Sequence, residues 1–521
     1  MMMKMTMIGF LVTVVCGAQI VYGAEPAEGQ GAEDVVTYEA FGAVGDGVAD
    51  DLPAICKAHE AANAQGKRVK TKAGATYHLG RRALTAIIAT DTDWGTSRFI
   101  IDDSLDVENH RKTLFEVRSL LKPVPLKIDK LSRDQRQLDA KPPTDCLVTV
   151  QNNNKKIFIR RGLNQNNGTA QQESFILRQD GTIEGDIVWD YETITRVTAR
   201  PIDPQPLILR GGIFTHTGNS MRQEKGYNYW GRNIRITRSN TEVRGLVHRV
   251  VGEGEFGHPY GGFLSVSEAA DITLRDCMID PRKTYRTIGA VGKPVSMGSY
   301  GYSASHVVNF KMIGCRMEAI NDRSRWGVVG SNFMKNILLE ECSLSRMDVH
   351  QGVGGTYTIR KSTLGYAGLN AIGRGTLLVE DSTLHGGSLI SFRSDYGSTW
   401  DGDVVVRNCR WVPGAGNVPA RPVLFGMSND GMHDFGYPCF MPRTIKIDGL
   451  TIDDSKHSEK YQGVFVFGDP IGSAKTARPF PYALTQSVQV RNVKTASGRP
   501  LGRAINPELE RAITWTMKGE R

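Results

Sequence analysis

"KMIGCRM" (311–317), "LLEECSL" (338–344), "TIRKSTL" (358–364), "LVEDSTL" (378–384) and "VVRNCRW" (405–411) are copies of one short unit. Each alternates apolar and polar residues around a small central Cys or Ser. Cys342, Ser362 and Ser382 lie 20 residues apart, and the flanking steps, Cys315 to Cys342 and Ser382 to Cys409, are 27. Upstream, "TLRDCMI" around Cys277 and "ITRSNTEV" around Ser239 continue the pattern with steps of 38. Strand-period units with a floor near 20 residues predict a solenoid. One rung cannot bury its apolar side, so rungs stack, and the small residue of each forms an interior ladder. Independent hairpins give no reason for that ladder.

Working outward, the first 23 residues read as a secretory signal: Lys4 opens it, Ile8 to Val15 is its apolar centre, and Val21-Tyr22-Gly23 ends it. Residues 24–34 read as a flexible leader. The rest, 35–521, reads as a single domain with insertions near 108–145 and 413–443. No later segment approaches 18 continuous apolar residues, so no membrane span is expected. The location expected is exported, in the periplasm or outside the cell.

The chain has eight cysteines, seven of them after the signal. An odd number spread thinly is not a disulfide framework. No pair has zinc-site spacing, and no metal or cofactor is expected. Net charge is +9, or +8 once Lys4 leaves with the signal. That leans toward an acidic partner such as a uronic-acid or sulfated polysaccharide. No recognition motif points to nucleic acid.

Near the start, Val35 to Tyr38 reads as a strand, Asp50 or Asp51 as the cap of a helix, and Leu52-Pro53 as its first turn. "FGAVGDGVADDLPAI" (41–55) followed by "KAGATYHLG" (72–80) closely resembles the N-terminal signature of the pectate-lyase-like superfamily. The resemblance implies an all-β fold, a right-handed parallel β-helix with a short N-terminal capping helix. It also implies a polysaccharide-active protein, lyase or glycoside hydrolase, although tail-spike and structural proteins share the pattern. "RVKT" (68–71) departs from it, being more charged than the expected strand. "CLVTV", "KIFIRRG", "ESFILR" and "GDIVWDY" read as pieces of early coils.

A solenoid interior is packed, so chemistry belongs on an outer face or under the long turns. Counting from the ladder, Arg323, His350 and Asn370 each fall eight residues past a ladder position and predict a column. Glycoside hydrolysis needs a protonated carboxylic acid and a second carboxylate. Asp322, Asp348 and Asp395 are the candidates, with His350 tuning a neighbour or holding substrate. Arg323, Arg325, Arg374 and Arg393 suit a substrate carboxylate or sulfate. Tyr396, Trp400 and Trp230 suit stacking on sugar rings, and Asn370 is a further substrate-binding candidate. Turn aspartates, solvated arginines and packed aromatics are the ordinary alternative for each. His216 and His258 would extend the groove.

The function expected first is an exported glycoside hydrolase on a complex, acidic polysaccharide. The next is a polysaccharide lyase, with His350 or Tyr396 as base and Arg393 or Arg374 neutralising a uronate carboxylate. A non-catalytic carbohydrate-binding β-helix is the third.

Overall fold

The computed structural model describes residues 35–104, 106–160, 165–393, 399–427, 433–434, 439–470 and 482–518. The signal, the leader, Asp395 and Tyr396 lie outside the described residues. Parallel strands stack in a right-handed β-helix. One column of mutual partners runs Val36, Val69, Thr92, Leu209, Val243, Leu274, Met312, Leu339, Ile359, Val379, Val406, Ile447, Val490, Met517. It traverses fourteen rungs and is buried along nearly all its length. A buried apolar side chain of this kind contributes roughly 1.5–3 kcal/mol, and here the next coil supplies the burial.

The small-residue ladder is present. The carbonyls of Cys277, Cys315, Cys342, Ser362 and Ser382 each accept the amide that follows the ladder residue of a neighbouring coil. The residue just before each is left-handed: Asp276, Gly314, Glu341, Lys361, Asp381 and Asn408 all have φ between 48° and 65°. That corner turns the chain sharply, and the small residue tucks inside it. Four of the ladder residues, Cys277, Cys315, Cys342 and Cys409, are buried free thiols. Ser239 is not on the ladder, because Met278 N bonds Leu246 O, which puts Leu246 at that point.

A second left-handed column holds Asn240, Asp271, Asn309 and Asn336. Asn309 Nδ2 donates to Asp271 Oδ1 at 2.8 Å and Asn336 Nδ2 to Asn309 Oδ1 at 2.9 Å. The column continues as Gly355 and Gly375, where a Cβ on Gly375 would sit 2.0 Å from Gly355 O. Only glycine fits so close a corner.

The helix Leu52–Gln65 lies at the N-terminal end, burying Leu52, Ile55, Ala58, His59 and Ala62 against the first coils. Asp51 occupies its N-cap position but does not cap it; its carboxylate binds Val44 N and Gly45 N of the preceding turn instead. In Arg68–Lys70 only Val69 faces inward, so the charged flanks are compatible with a strand.

The largest departure from expectation is residues 118–206. Cys146–Ile157, Thr169–Leu177, Ile183–Glu184 and Arg196–Pro201 are not coils of the solenoid. They form a separate four-stranded antiparallel sheet. The irregular stretch before it lies along this sheet through Val124, Leu131 and Gln137. Leu147 and Ile176 on the sheet's other side meet Ala270 and Val308 of the solenoid. Lys335 Nζ reaches from the solenoid to Glu173 Oε2 at 2.6 Å, and both residues are buried. Within 413–443, Val423–Gly426 is no excursion: it pairs with Ile390–Phe392 and Phe465–Phe467 as a coil strand. Among the described residues, no helix is long and apolar enough to cross a membrane.

Candidate active site

The strand Ser343–Arg360 turns Met347 and Val349 into the core. Alternation therefore sends Arg346, Asp348 and His350 to the opposite face. Asp348 is only 3% exposed, yet its carboxylate is surrounded by cationic and imidazole groups. Arg393 Nη1 lies 2.9 and 2.8 Å from its two oxygens, Arg346 Nη2 3.1 Å from Oδ1, and His350 Nε2 2.8 Å from Oδ2.

Neighbouring coils complete the cluster. Gly330 pairs with Asp348, and a Cβ there would meet the Tyr300 ring at 2.7 Å, so the glycine lets that ring lie alongside. Tyr300 stands edge-on to His350, ring centroids 6.4 Å apart, and Tyr229 packs on Tyr300. Asn370 pairs with Ser391. The amide orientation that satisfies both neighbours accepts from Arg346 Nε and Nη2 at 2.9 and 3.1 Å and donates to Ser391 Oγ at 3.2 Å. The Arg346 guanidinium lies 5.2 Å from the Trp326 ring centre.

Burial opposes ionisation of Asp348, but Arg346, Arg393 and His350 outweigh it and hold the carboxyl well below its usual range. Burial also lowers the pKa of His350, helped by the two arginines, while Asp348 works the other way. The imidazole is therefore neutral at neutral pH. A carboxylate only accepts, so Nε2 carries the proton and Nδ1 the lone pair. The His350 side chain is 24% exposed, much more than Asp348. Among the described residues, two guanidiniums share this one carboxylate.

Of the residues singled out in the sequence, Asp348, His350, Asn370 and Arg393 come together. The column Arg323–His350–Asn370 does not form. Asp322 sits in a turn, its Oδ1 taking Ser324 N and Oγ at 2.9 and 2.7 Å, which lower its pKa. Arg323 Nη2 donates to Gly414 O at 2.6 Å, and Arg325 Nη1 to Pro281 O at 3.1 Å. Arg374 binds the inserted sheet region, through Asp134 at 2.8 Å and Ile187 O at 3.1 Å. Trp400 is a core residue between Tyr357 and Phe392, and Trp230 is buried beside His110 and Tyr260, so neither ring is open to a sugar. His216 and His258 are likewise buried. Arg346, Tyr300, Trp326 and Ser391 belong to the cluster and were not singled out. Arg346 was within reach, being two residues before Asp348 on the same strand face. Among the described residues no group of three or more His, Cys, Asp or Glu is placed to hold a metal ion.

No protein-family model matches the chain. A capsule KL64-specific depolymerase of Klebsiella phage P510 is 32% identical over 117 residues, 20% of this chain and 12% of that protein's length. Among solved structures, the tailspike protein gp49 of Pseudomonas phage LKA1 aligns with 88% of this chain and 81% of its own, at 12% identity and a TM-score of 0.47. The Streptococcus pneumoniae surface protein and adhesin PfbA aligns over 90% and 100%, at 12% identity and a TM-score of 0.40. A family 28 exopolygalacturonase of Yersinia enterocolitica aligns over 93% and 79%, at 10% and 0.38. The chain has a right-handed parallel β-helix fold.

Proposed function

We propose that the chain is an exported carbohydrate-active enzyme that cleaves an acidic polysaccharide by elimination, with His350 as the base. The observation that carries this is the neutral, partly open imidazole oriented by a buried carboxylate between two arginines. Elimination beside a uronate carboxylate needs a base at C5 and positive charge near the carboxylate. Nδ1 of His350 takes the C5 proton, the C4–O bond breaks, and a C4–C5 double bond forms. The imidazolium then returns the proton to the leaving oxygen. The guanidiniums of Arg346 and Arg393 favour the substrate carboxylate and the charge that develops on it. The partial likeness to a capsule depolymerase supports a polysaccharide as the substrate class.

Hydrolysis fits this cluster less well. Its general acid must hold a proton at working pH. Asp348, between two guanidiniums and an imidazole, is held ionised. The testing experiment incubates the purified protein with uronate-containing and neutral polysaccharides. Ultraviolet absorbance of unsaturated uronate and reducing ends are followed together. Matched rises that disappear in His350→Gln are expected. Reducing ends without absorbance would sink the elimination reading and return hydrolysis, with Asp322 and Asp395 as its carboxylates.

A further inference from the structure

A second polar cluster lies in the coils nearer the N-terminus. Asp103 Oδ1 accepts from Arg232 Nε at 3.0 Å, and Oδ2 from the Tyr260 hydroxyl at 3.1 Å, with His216 Nε2 3.5 Å away. His216 Nδ1 meets His248 Nε2 at 2.9 Å. Arg232 is further satisfied by Gly80 O at 2.7 Å. Arg282 stacks on the other side, its guanidinium 3.5 Å from the Tyr260 ring centre.

Arg282 is 4% exposed, and neither Nη1 nor Nη2 has a hydrogen-bond partner among the described residues. Stacking on Tyr260 stabilises the charge from the face of the guanidinium plane. Its N–H bonds point within that plane and gain nothing from the ring. Asp103 already serves Arg232 and Tyr260 and faces His216. Burial, with Arg282 itself contributing, lowers the pKa of both His216 and His248, so neither adds charge at neutral pH. Two arginines against one aspartate leave about one uncompensated positive charge in a sealed place. Such a charge is strongly unfavourable unless something neutralises it.

We propose that Arg282 holds a buried monovalent anion of chloride's size, bound in the plane of Nη1 and Nη2. A halide supplies the missing negative charge and accepts both N–H groups without a donor of its own to satisfy. Water would accept the bonds but leave the charge.

The test uses the full chain. Wild-type crystals in sodium bromide are measured for anomalous scattering, and thermal unfolding is followed from low to high chloride at constant ionic strength, with gluconate as the balancing anion. A bromide peak within contact of Arg282 Nη1 and Nη2 is expected. So is a rise in Tm of about 1 °C per tenfold chloride, absent in Arg282→Met. If that variant does not fold, the wild-type peak and chloride series still decide. An ordered water with no anomalous signal overturns the proposal. A peak without chloride-dependent stability also overturns it, as binding at crystal concentration only.

Discussion

Two buried clusters in this molecule share the same parts and differ in one respect. Around Asp348 stand Arg346, Arg393 and His350; around Asp103 stand Arg232, His216 and, across Tyr260, Arg282. In both, burial lowers the pKa of the histidine beside the carboxylate. His216 is 1% exposed, whereas His350 is 24% exposed. A neutral imidazole within reach of solvent can meet a substrate. The same imidazole sealed inside the coils has only its neighbours. Access, rather than composition, separates a candidate catalytic dyad from a structural one.

The largest effect expected is from removing the carboxylates. Asp348→Ala removes the carboxylate that Arg346 and Arg393 share, and Asp103→Ala removes the one that holds Arg232. Breaking a buried pair from one side costs about 3–5 kcal/mol, so each variant should show a large fall in Tm. Activity should vanish in Asp348→Ala. In Asp103→Ala, any protein that remains folded should keep its turnover. An Asp348→Ala protein as stable as wild type would mean that the arginines find other partners, and the charge argument at that site would be wrong.

Next come the histidines. His350→Gln should lower kcat by about 10²–10⁴-fold, the usual range for a lost general base, with little change in Tm. His216→Gln should leave kcat/KM within about twofold. Equal losses of activity in both variants would break the distinction drawn from access.

The pH dependence separates the same two histidines. Burial pushes His216 down to about 4, and it likewise pushes His306 to about 4 and His59 to about 3. These groups bind protons in the unfolded chain below about 6.5 but not in the folded one. The unfolded state then holds more protons, so stability is full above about pH 6.5 and falls as pH drops toward 4. His216→Gln should flatten that decline by about 1–3 kcal/mol across the window, measured by denaturant unfolding at several pH values. Activity depends on neutral His350, whose pKa is also lowered. It should therefore persist below the ordinary histidine range before it falls. A rate that is already declining at pH 7 would contradict a neutral base.

The sequence announces the solenoid because its corners are chemically narrow. A left-handed residue followed by a small buried one recurs at the corners from Cys277 to Cys409, and that pair leaves a trace at Cys342, Ser362 and Ser382. The inserted sheet leaves no such trace, since alternation in "CLVTV" and "ESFILR" serves an antiparallel strand as well as a coil. The site was half legible for a geometric reason. Leu344 pairs with Leu364, an offset of 20, but Arg346 pairs with Gly368, an offset of 22, because a bulge intervenes. Counting eight residues from each ladder position therefore misaligns the coils. Gly330 lies opposite Asp348, and Arg323 belongs instead to the turn that the longer spacing accommodates. Trp400 and Trp230 fill the interior, and an aromatic beside polar residues looks the same in sequence whether it lines a groove or fills a core.

The smallest effect expected is at Asp322, and it is the sharpest test of the comparison. Asp322 looks in sequence like Asp348: a lone aspartate beside arginines. Its carboxylate stays near solvent, bonding Ser324 two residues on and lying 3.5 Å from Arg325 Nε. Surface substitutions of this kind usually fall within about 0.5 kcal/mol. Asp322→Ala should therefore leave Tm nearly unchanged and kcat/KM within about threefold, far from the collapse expected of Asp348→Ala. A large loss of activity in Asp322→Ala, with the fold intact, would mean that an exposed carboxylate takes part in the chemistry. Elimination by His350 does not need one, and a two-carboxylate hydrolysis does.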